Sequence, residues 1–179
     1  MTSAAVAPFK PWMIATMLAL SEYAAQGYRP DLSADAYLAK KARSGSTQVV
    51  ELESMESQLA LLDSLDKDAQ LRLLEDSLTQ IETGKQRKEA GQIVQAWSHA
   101  DRAALDKVAA HIDSDMTFSG RFMRKVLLDG RNGALADKLA DLLRRENNAV
   151  AAVGVLHLLG KHSVPALMRA RGITVERVY

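Results

Sequence analysis

The sequence predicts an α/β fold that is rich in helix and has a small, mostly parallel sheet. Three short runs have strand character, near residues 48–53, 149–157 and 173–179, and helical patterns fill most of the rest. The last two runs flank a helical pattern, which makes a strand–helix–strand unit with an expected right-handed crossover. A long helical insertion separates the first two strands. We therefore expect a single domain over 1–179, with a flexible start at 1–9.

The helical patterns of the first two thirds of the chain begin and end at residues typical of helix boundaries. Pro11 suits the first turn of a helix that stops near Gly27. Ser33 is the expected N-cap of the next helix, and Gly45 follows its last basic residues. Further helices are expected at 56–65, 68–81, 86–97, 101–111 and 117–127.

The strand predictions depend on β-branched and continuous apolar runs. Val49, Val50 and Leu52 form a short β-rich run between a turn and a helical pattern. The run "AVAAVGVL" is continuously apolar, as in a strand covered on both faces of a parallel sheet. The closing "ITVERVY" is the last expected strand.

The segments between the last strands complete the predicted order. The stretch "DGRNG" at 129–133 is a turn signal, and a leucine-rich helix is expected over 134–147. A further helix, "VPALMRARG", is expected to end at Gly172.

Composition and charge exclude several classes of protein. The formal net charge is +1, and no stretch concentrates basic residues together with aromatic ones, so a nucleic-acid interface is not expected. The chain has no cysteine, which excludes disulfides and thiolate metal sites. The apolar stretch "PWMIATMLAL" is too short to span a membrane.

Four residues are candidates for chemistry: Glu53, Arg131, Asn132 and His157. Glu53 and His157 end the first two predicted strands, and ligands of open parallel sheets bind beyond the carboxyl ends of strands. A carboxylate and a neutral imidazole suit Zn, Mn or Co, or they form an acid–base pair without a metal. Arg131 is expected to pair with Glu53 or to hold a substrate oxyanion.

Each candidate also has a purely structural interpretation. In that interpretation His157 only caps the end of a strand, by a hydrogen bond to the backbone. Glu53 suits the N-cap or first turn of the helix that follows it. Arg131 and Asn132 are common turn residues.

Several stretches, taken in order, resemble the TraB/GumN family, which includes the Tiki proteins. "ELESMESQL" is similar to the family's Leu-Glu-x-x-x-x-Gln segment, with Glu53 in place. "AWSHAD" is similar to its Trp-x-x-Gly-Asp, with Ala100 replacing the glycine. "VGVLHLLG" supplies a Gly-x-x-His step at Gly154 and His157. The other matching pieces are "KPW", "ADAYL", "GRN" and "RGITVERV".

The resemblance implies a metal-dependent hydrolase of the Tiki protease class, acting on a peptide or protein with Mn, Co or Zn. In that case His157 is a metal ligand or catalytic group and Glu53 a site carboxylate. Arg131 and Asn132 are then supporting polar residues. Family members are often exported, which favours the bacterial cell envelope.

One departure from the family pattern limits this expectation. An earlier Gly-x-x-His, which the family carries before its Lys-Pro-Trp region, has no counterpart upstream of His157. We therefore expect an N-terminally truncated domain with an incomplete site, and a self-association that covers the open sheet edge or a rearranged sheet. The alternative is a non-catalytic interaction or scaffold domain.

Overall fold

The computed structural model describes residues 3–146 and 148–178, and within them the fold is helical. The α-helices are α1 (Ser3–Val6), α2 (Pro11–Ala25), α3 (Ala34–Ser44), α4 (Met55–Asp63), α5 (Lys67–Glu82), α6 (Lys85–Ser98), α7 (Arg102–Ser114), α8 (Phe118–Phe122), α9 (Gly130–Arg145) and α10 (Val164–Ala170). A π-helix, Met123–Asp129, joins α8 to α9, and 3₁₀ turns lie at Pro30–Leu32 and Val155–Leu158. No helix among these residues is both long and apolar enough to cross a membrane.

Side-chain caps account for most of the helix starts. In six helices a serine, threonine or aspartate accepts a hydrogen bond from the backbone N–H three residues further on, which satisfies a donor that the helix itself leaves unpaired. These caps are Ser33, Ser54, Asp66, Asp101, Thr117 and Ser163. The predicted cap of α3 at Ser33 and its end at Gly45 are therefore confirmed.

Two packed units position the candidate residues. In the first, α2 packs against α5 and α6, α6 against α7, and α8 against α5. In the second, α9 packs against α10 around a buried cluster of Leu135, Ala136, Val164 and Met168. The π-helix connects the two units.

The predicted parallel sheet is wrong, because the described residues contain no strand. Residues 48–53 are irregular, 149–154 are irregular and run into the 3₁₀ turn, and 173–178 are irregular. Tyr179, the last residue of the third predicted strand, lies outside the described residues.

The physical reason is that no described backbone hydrogen bond joins any of the three segments to another. Leu52, Ile173 and Val175 instead pack against the α9–α10 core. Side chains of those helices take up carbonyl oxygens: Lys138 Nζ donates to Leu52 O at 2.6 Å, and Arg169 Nη2 donates to Val175 O at 2.8 Å. The apolar runs that predicted strands are thus packed on helices without a ladder.

The predicted turn at 129–133 is also wrong. Arg131, Asn132 and Gly133 lie in the first turn of α9, and the helix that was expected from 134 starts at Gly130. Gly130 and Gly133, which predicted a turn, lie instead where the chain passes from the π-helix into α9. Asn147, the predicted last residue of this helix, lies outside the described residues.

Candidate functional site

An ion pair between Glu53 and Arg131 forms one side of the candidate site. The Arg131 guanidinium donates to both carboxylate oxygens of Glu53, from Nε at 3.0 and 3.1 Å and also from Nη2. Its Nη1 donates to Leu127 O at 3.2 Å. Both charged side chains are only 18% exposed. The pair is therefore held rigidly, with the guanidinium fixed from two directions.

The neighbouring residue, Asn132, holds His157 on the other side. Asn132 is 2% exposed and His157 is 7% exposed. His157 Nδ1 lies 2.7 Å from Asn132 Oδ1, and Asn132 Nδ2 donates to His162 O at 2.8 Å. One buried amide thus connects the imidazole to the turn before α10.

These contacts fix the tautomer of His157. A backbone carbonyl only accepts hydrogen bonds, so the atom of Asn132 that faces His162 O must be the NH₂ group. Oδ1 then faces the imidazole and requires a proton on Nδ1. In the neutral ring, Nε2 therefore carries the lone pair.

Nε2 of His157 is the reactive atom of this arrangement. It has no hydrogen-bond partner among residues 3–146 and 148–178, whereas every fully buried side-chain nitrogen or oxygen of those residues has one. Nε2 therefore keeps contact with solvent. A lone pair in this position acts as a base or as a metal ligand.

Burial, together with the Arg131 charge, keeps the imidazole neutral. Burial lowers the pKa of His157, and the Arg131 charge lowers that pKa further, whereas Glu53 raises it. The Arg131 hydrogen bonds lower the pKa of the Glu53 carboxyl against an opposing effect of burial, and His157 and Lys138 lower this pKa as well. At neutral pH the site holds a carboxylate, a guanidinium and an uncharged imidazole.

The Gly-x-x-His step has a clear geometric basis. His157 N donates to Gly154 O at 2.9 Å and so closes the 3₁₀ turn. A Cβ added at Gly154 would come within 3.6 Å of His157 Cδ2, the ring atom next to Nε2. That distance is ordinary contact, so a small side chain would also fit beside the ring here.

The structure brings all four predicted residues to one place. Arg131 and Asn132 are neighbours in α9, and each holds one of the two distant residues, Glu53 or His157. Glu53 does not cap α4, because Ser54 does. Arg131 takes the first of its two expected roles, pairing with Glu53.

Two contributors to the site carried no signal in the sequence. Lys138 lies about two helical turns beyond Arg131 in α9 and holds Leu52 O, next to Glu53. Asp129 Oδ2 lies 3.2 Å from His162 Nδ1 and ties the end of the π-helix to the turn that Asn132 also binds. Single charged residues of this kind are common on helices, so only the folded chain shows what they contact.

The sequence model of the TraB/PrgY/gumN family matches residues 1–177. The chain belongs to this family. The resemblance expected from the ordered stretches is therefore confirmed at the level of family membership.

The curated relatives of this TraB-family chain are longer than the chain. It is 33% identical over 158 residues to "Uncharacterized protein YbaP" of Escherichia coli (strain K12), and the same values hold for the protein of that name in Shigella flexneri. The match covers 88% of this chain and 56% of each relative, so the chain spans about half the length of those proteins. No solved structure matches it.

The resemblance implies a divalent metal, but the described residues of this TraB-family chain do not form a complete metal centre. His157 Nε2 is a competent ligand, but both oxygens of Glu53 already accept from Arg131. A guanidinium at this distance also repels a cation. The described residues contain no group of three or more histidine, aspartate or glutamate side chains that could hold a metal, and a catalytic zinc normally has three protein ligands.

Proposed function

We propose that this chain carries the acid–base part of a hydrolytic site that acts on a peptide or protein. The observation that supports this proposal is the state of His157: a neutral imidazole whose Nδ1–H is fixed by Asn132 and whose Nε2 is open. Family membership supports the reaction class, by resemblance to the Tiki proteases. The proposal is confined to the residues of this chain.

In this mechanism each residue has one task. His157 Nε2 accepts a proton from the attacking water and returns it to the leaving amine. Asn132 holds the ring in the required tautomer and orientation. The Glu53 carboxylate stabilises the imidazolium that forms, and Arg131 keeps that carboxylate ionised and in place.

Hydrolysis of unstructured peptides, followed by mass spectrometry, tests the proposal. Removing a general base costs about 10²–10⁴ in rate. We expect His157→Gln to lose cleavage by such a factor and His99→Gln, on an exposed helix end, to retain it. Cleavage that survives in His157→Gln would refute the assignment.

Calorimetry with Mn²⁺, Co²⁺ and Zn²⁺ separately tests the metal. We expect no tight binding to the described donor set, because Glu53 is paired. If one metal ion binds per chain and His157→Gln abolishes this binding, His157 is instead a metal ligand and the Glu53 carboxylate leaves Arg131 for the metal.

A second candidate function, a self-associating scaffold, is favoured by exposed valines on the three irregular segments. Val49, Val50, Val150 and Val178 are between 54% and 89% exposed there. Exposed apolar side chains favour association. We propose that a second copy covers these valines. Light scattering should then give a dimer that Val49→Lys/Val50→Lys dissociates; a monomer at all concentrations would exclude this function.

A further inference from the structure

The junction between the π-helix and α9 is the most unusual backbone feature of the described chain. A π-helix closes its turns with bonds from residue i to i+5, is rare, and often lies at a functional site. Here it runs from Met123 to Asp129 and ends immediately before Arg131 and Asn132.

Gly130 closes the last π turn. Its N–H bonds to Lys125 O, five residues earlier. A Cβ added at Gly130 would lie 3.0 Å from the same carbonyl oxygen, which is closer than ordinary contact. A side chain at Gly130 would therefore require this carbonyl, which its own N–H binds, to move by a few tenths of an ångström.

Contacts on both sides of the junction require one particular rotation of α9 relative to α8. Before it, Ser119 in α8 donates to Asp76 Oδ2 from both N and Oγ at 2.9 Å. After it, Arg131 and Asn132 reach Glu53 and His157. An α-helix turns about 100° per residue, so returning this stretch to α-helical bonding would change the rotation of one side relative to the other.

The end of the π-helix also contacts the site directly. Leu127 O accepts from Arg131 Nη1 at 3.2 Å, and Asp129 binds His162. His162 O is in turn the acceptor for Asn132. The π-helix therefore supports both halves of the site.

We propose that the π-helix Met123–Asp129 sets the rotation of α9 that brings Arg131 to Glu53 and Asn132 to His157, and that Gly130 is the positioning residue that permits it. That these contacts serve hydrolysis rests on the proposed function. The geometric claim does not, since it concerns the resting protein.

Scalar couplings across hydrogen bonds test the backbone claim in the unmodified protein. A π turn predicts a coupling between Gly130 N and the carbonyl carbon of Lys125. A coupling to Val126 instead would mean an ordinary α-helix and would overturn the proposal.

Two glycine substitutions in the same helical turn test the positioning claim. At Gly133 an added Cβ meets nothing within 4 Å, so Gly133→Ala is the matched control. We expect Gly130→Ala to disturb the Nδ1–H tautomer of His157 and to move its ¹⁵N ring shifts toward those of a free imidazole. Gly133→Ala should leave both unchanged.

The outcomes separate this inference from the proposed function. Gly130→Ala with an unchanged His157 spectrum, or Gly133→Ala with an equal disturbance, would refute the positioning role. If Gly130→Ala does not fold, the coupling measurement on the unmodified protein still decides whether the π turn exists. A failure to detect peptide cleavage would refute the function and leave these spectra unaffected.

Discussion

The two packed units of the molecule are held together in different ways. In the first unit helix packs on helix, between sequence neighbours such as α6 and α7 and also between distant pairs such as α2 and α5. In the second unit, α9 and α10 pack against irregular segments that come from distant parts of the chain, including Leu52. Most helix starts of the chain depend on residues three positions apart, whereas the irregular segments are held by side-chain contacts that span up to 86 residues.

This difference locates the candidate site. Glu53 and His157 lie on irregular backbone, and each is held by a side chain of α9. Residues on loops are positioned accurately only when a rigid element supports them. The comparison predicts that substitutions in α9 affect both stability and the site, whereas those in α2, α6 and α7 affect stability alone.

The largest expected effect is on the core of the second unit. Leu135 is 2% exposed, and Leu135→Ala should lower the free energy of unfolding by about 2–5 kcal/mol through lost burial and a new cavity. Leu143 lies on the same helix but is 55% exposed, so Leu143→Ala should cost much less. Equal losses in chemical denaturation would show that α9 does not form this core.

Removing the Asn132 amide should have the next largest effect. Asn132→Ala removes the bond to His162 O and leaves the buried His157 Nδ1 without a partner, which costs about 1–3 kcal/mol. The exposed Asn148→Ala is the control and should change stability by less than about 0.5 kcal/mol. A stable Asn132→Ala protein in urea denaturation would contradict the buried amide bridge.

A close contact in the first unit gives a matched test of packing. A Cβ at Gly120 would lie 2.3 Å from Asp115 Cγ, so Gly120→Ala should destabilise by about 1–3 kcal/mol. At Gly91 the same substitution makes only ordinary contact, and we expect no loss. Thermal denaturation measures both, and equal changes in the two variants would contradict the close contact at Gly120.

The smallest expected effect is the pH dependence of the ion pair. The pKa of Glu53 is lower in the folded state than in the unfolded state, because Arg131 binds the carboxylate. Its contribution is therefore complete above the unfolded-state pKa and is lost as the pH falls through the folded-state pKa. Glu53→Gln should cost about 1–2 kcal/mol at pH 7 and progressively less in acid.

The exposed Glu56→Gln, in the first turn of α4, is the control for this series. It should show a smaller loss at pH 7. The free energy of unfolding of Glu53→Gln should approach that of the unmodified protein in acid. If this difference does not shrink, the carboxylate is not the group that Arg131 stabilises.

The same contrast explains what the sequence could predict. Helix starts such as Ser33 and Asp101 were predictable, because a capping side chain and the backbone N–H that donates to it lie three residues apart. The strand predicted at 48–53 was wrong, because a β-rich run forms a strand only beside a partner, and here Lys138 binds the carbonyl of Leu52 instead. The turn at Gly130 was misread, since the glycine serves a π-helix.

The candidate site was predictable in its residues but not in its construction. The Gly-x-x-His step and the family's Leu-Glu segment pointed to His157 and Glu53. That Arg131 occupies both oxygens of Glu53, and that Asn132 fixes the tautomer of His157, depends on the rotation of α9. No local pattern encodes that rotation.

The state of His157 is the central claim, and a ¹⁵N NMR titration of its imidazole tests it most directly. The account predicts a neutral ring at pH 7 with the proton on Nδ1, and a pKa below the ordinary histidine value. A ring protonated on Nε2 in its neutral form, or a pKa at or above the ordinary value, would contradict the account.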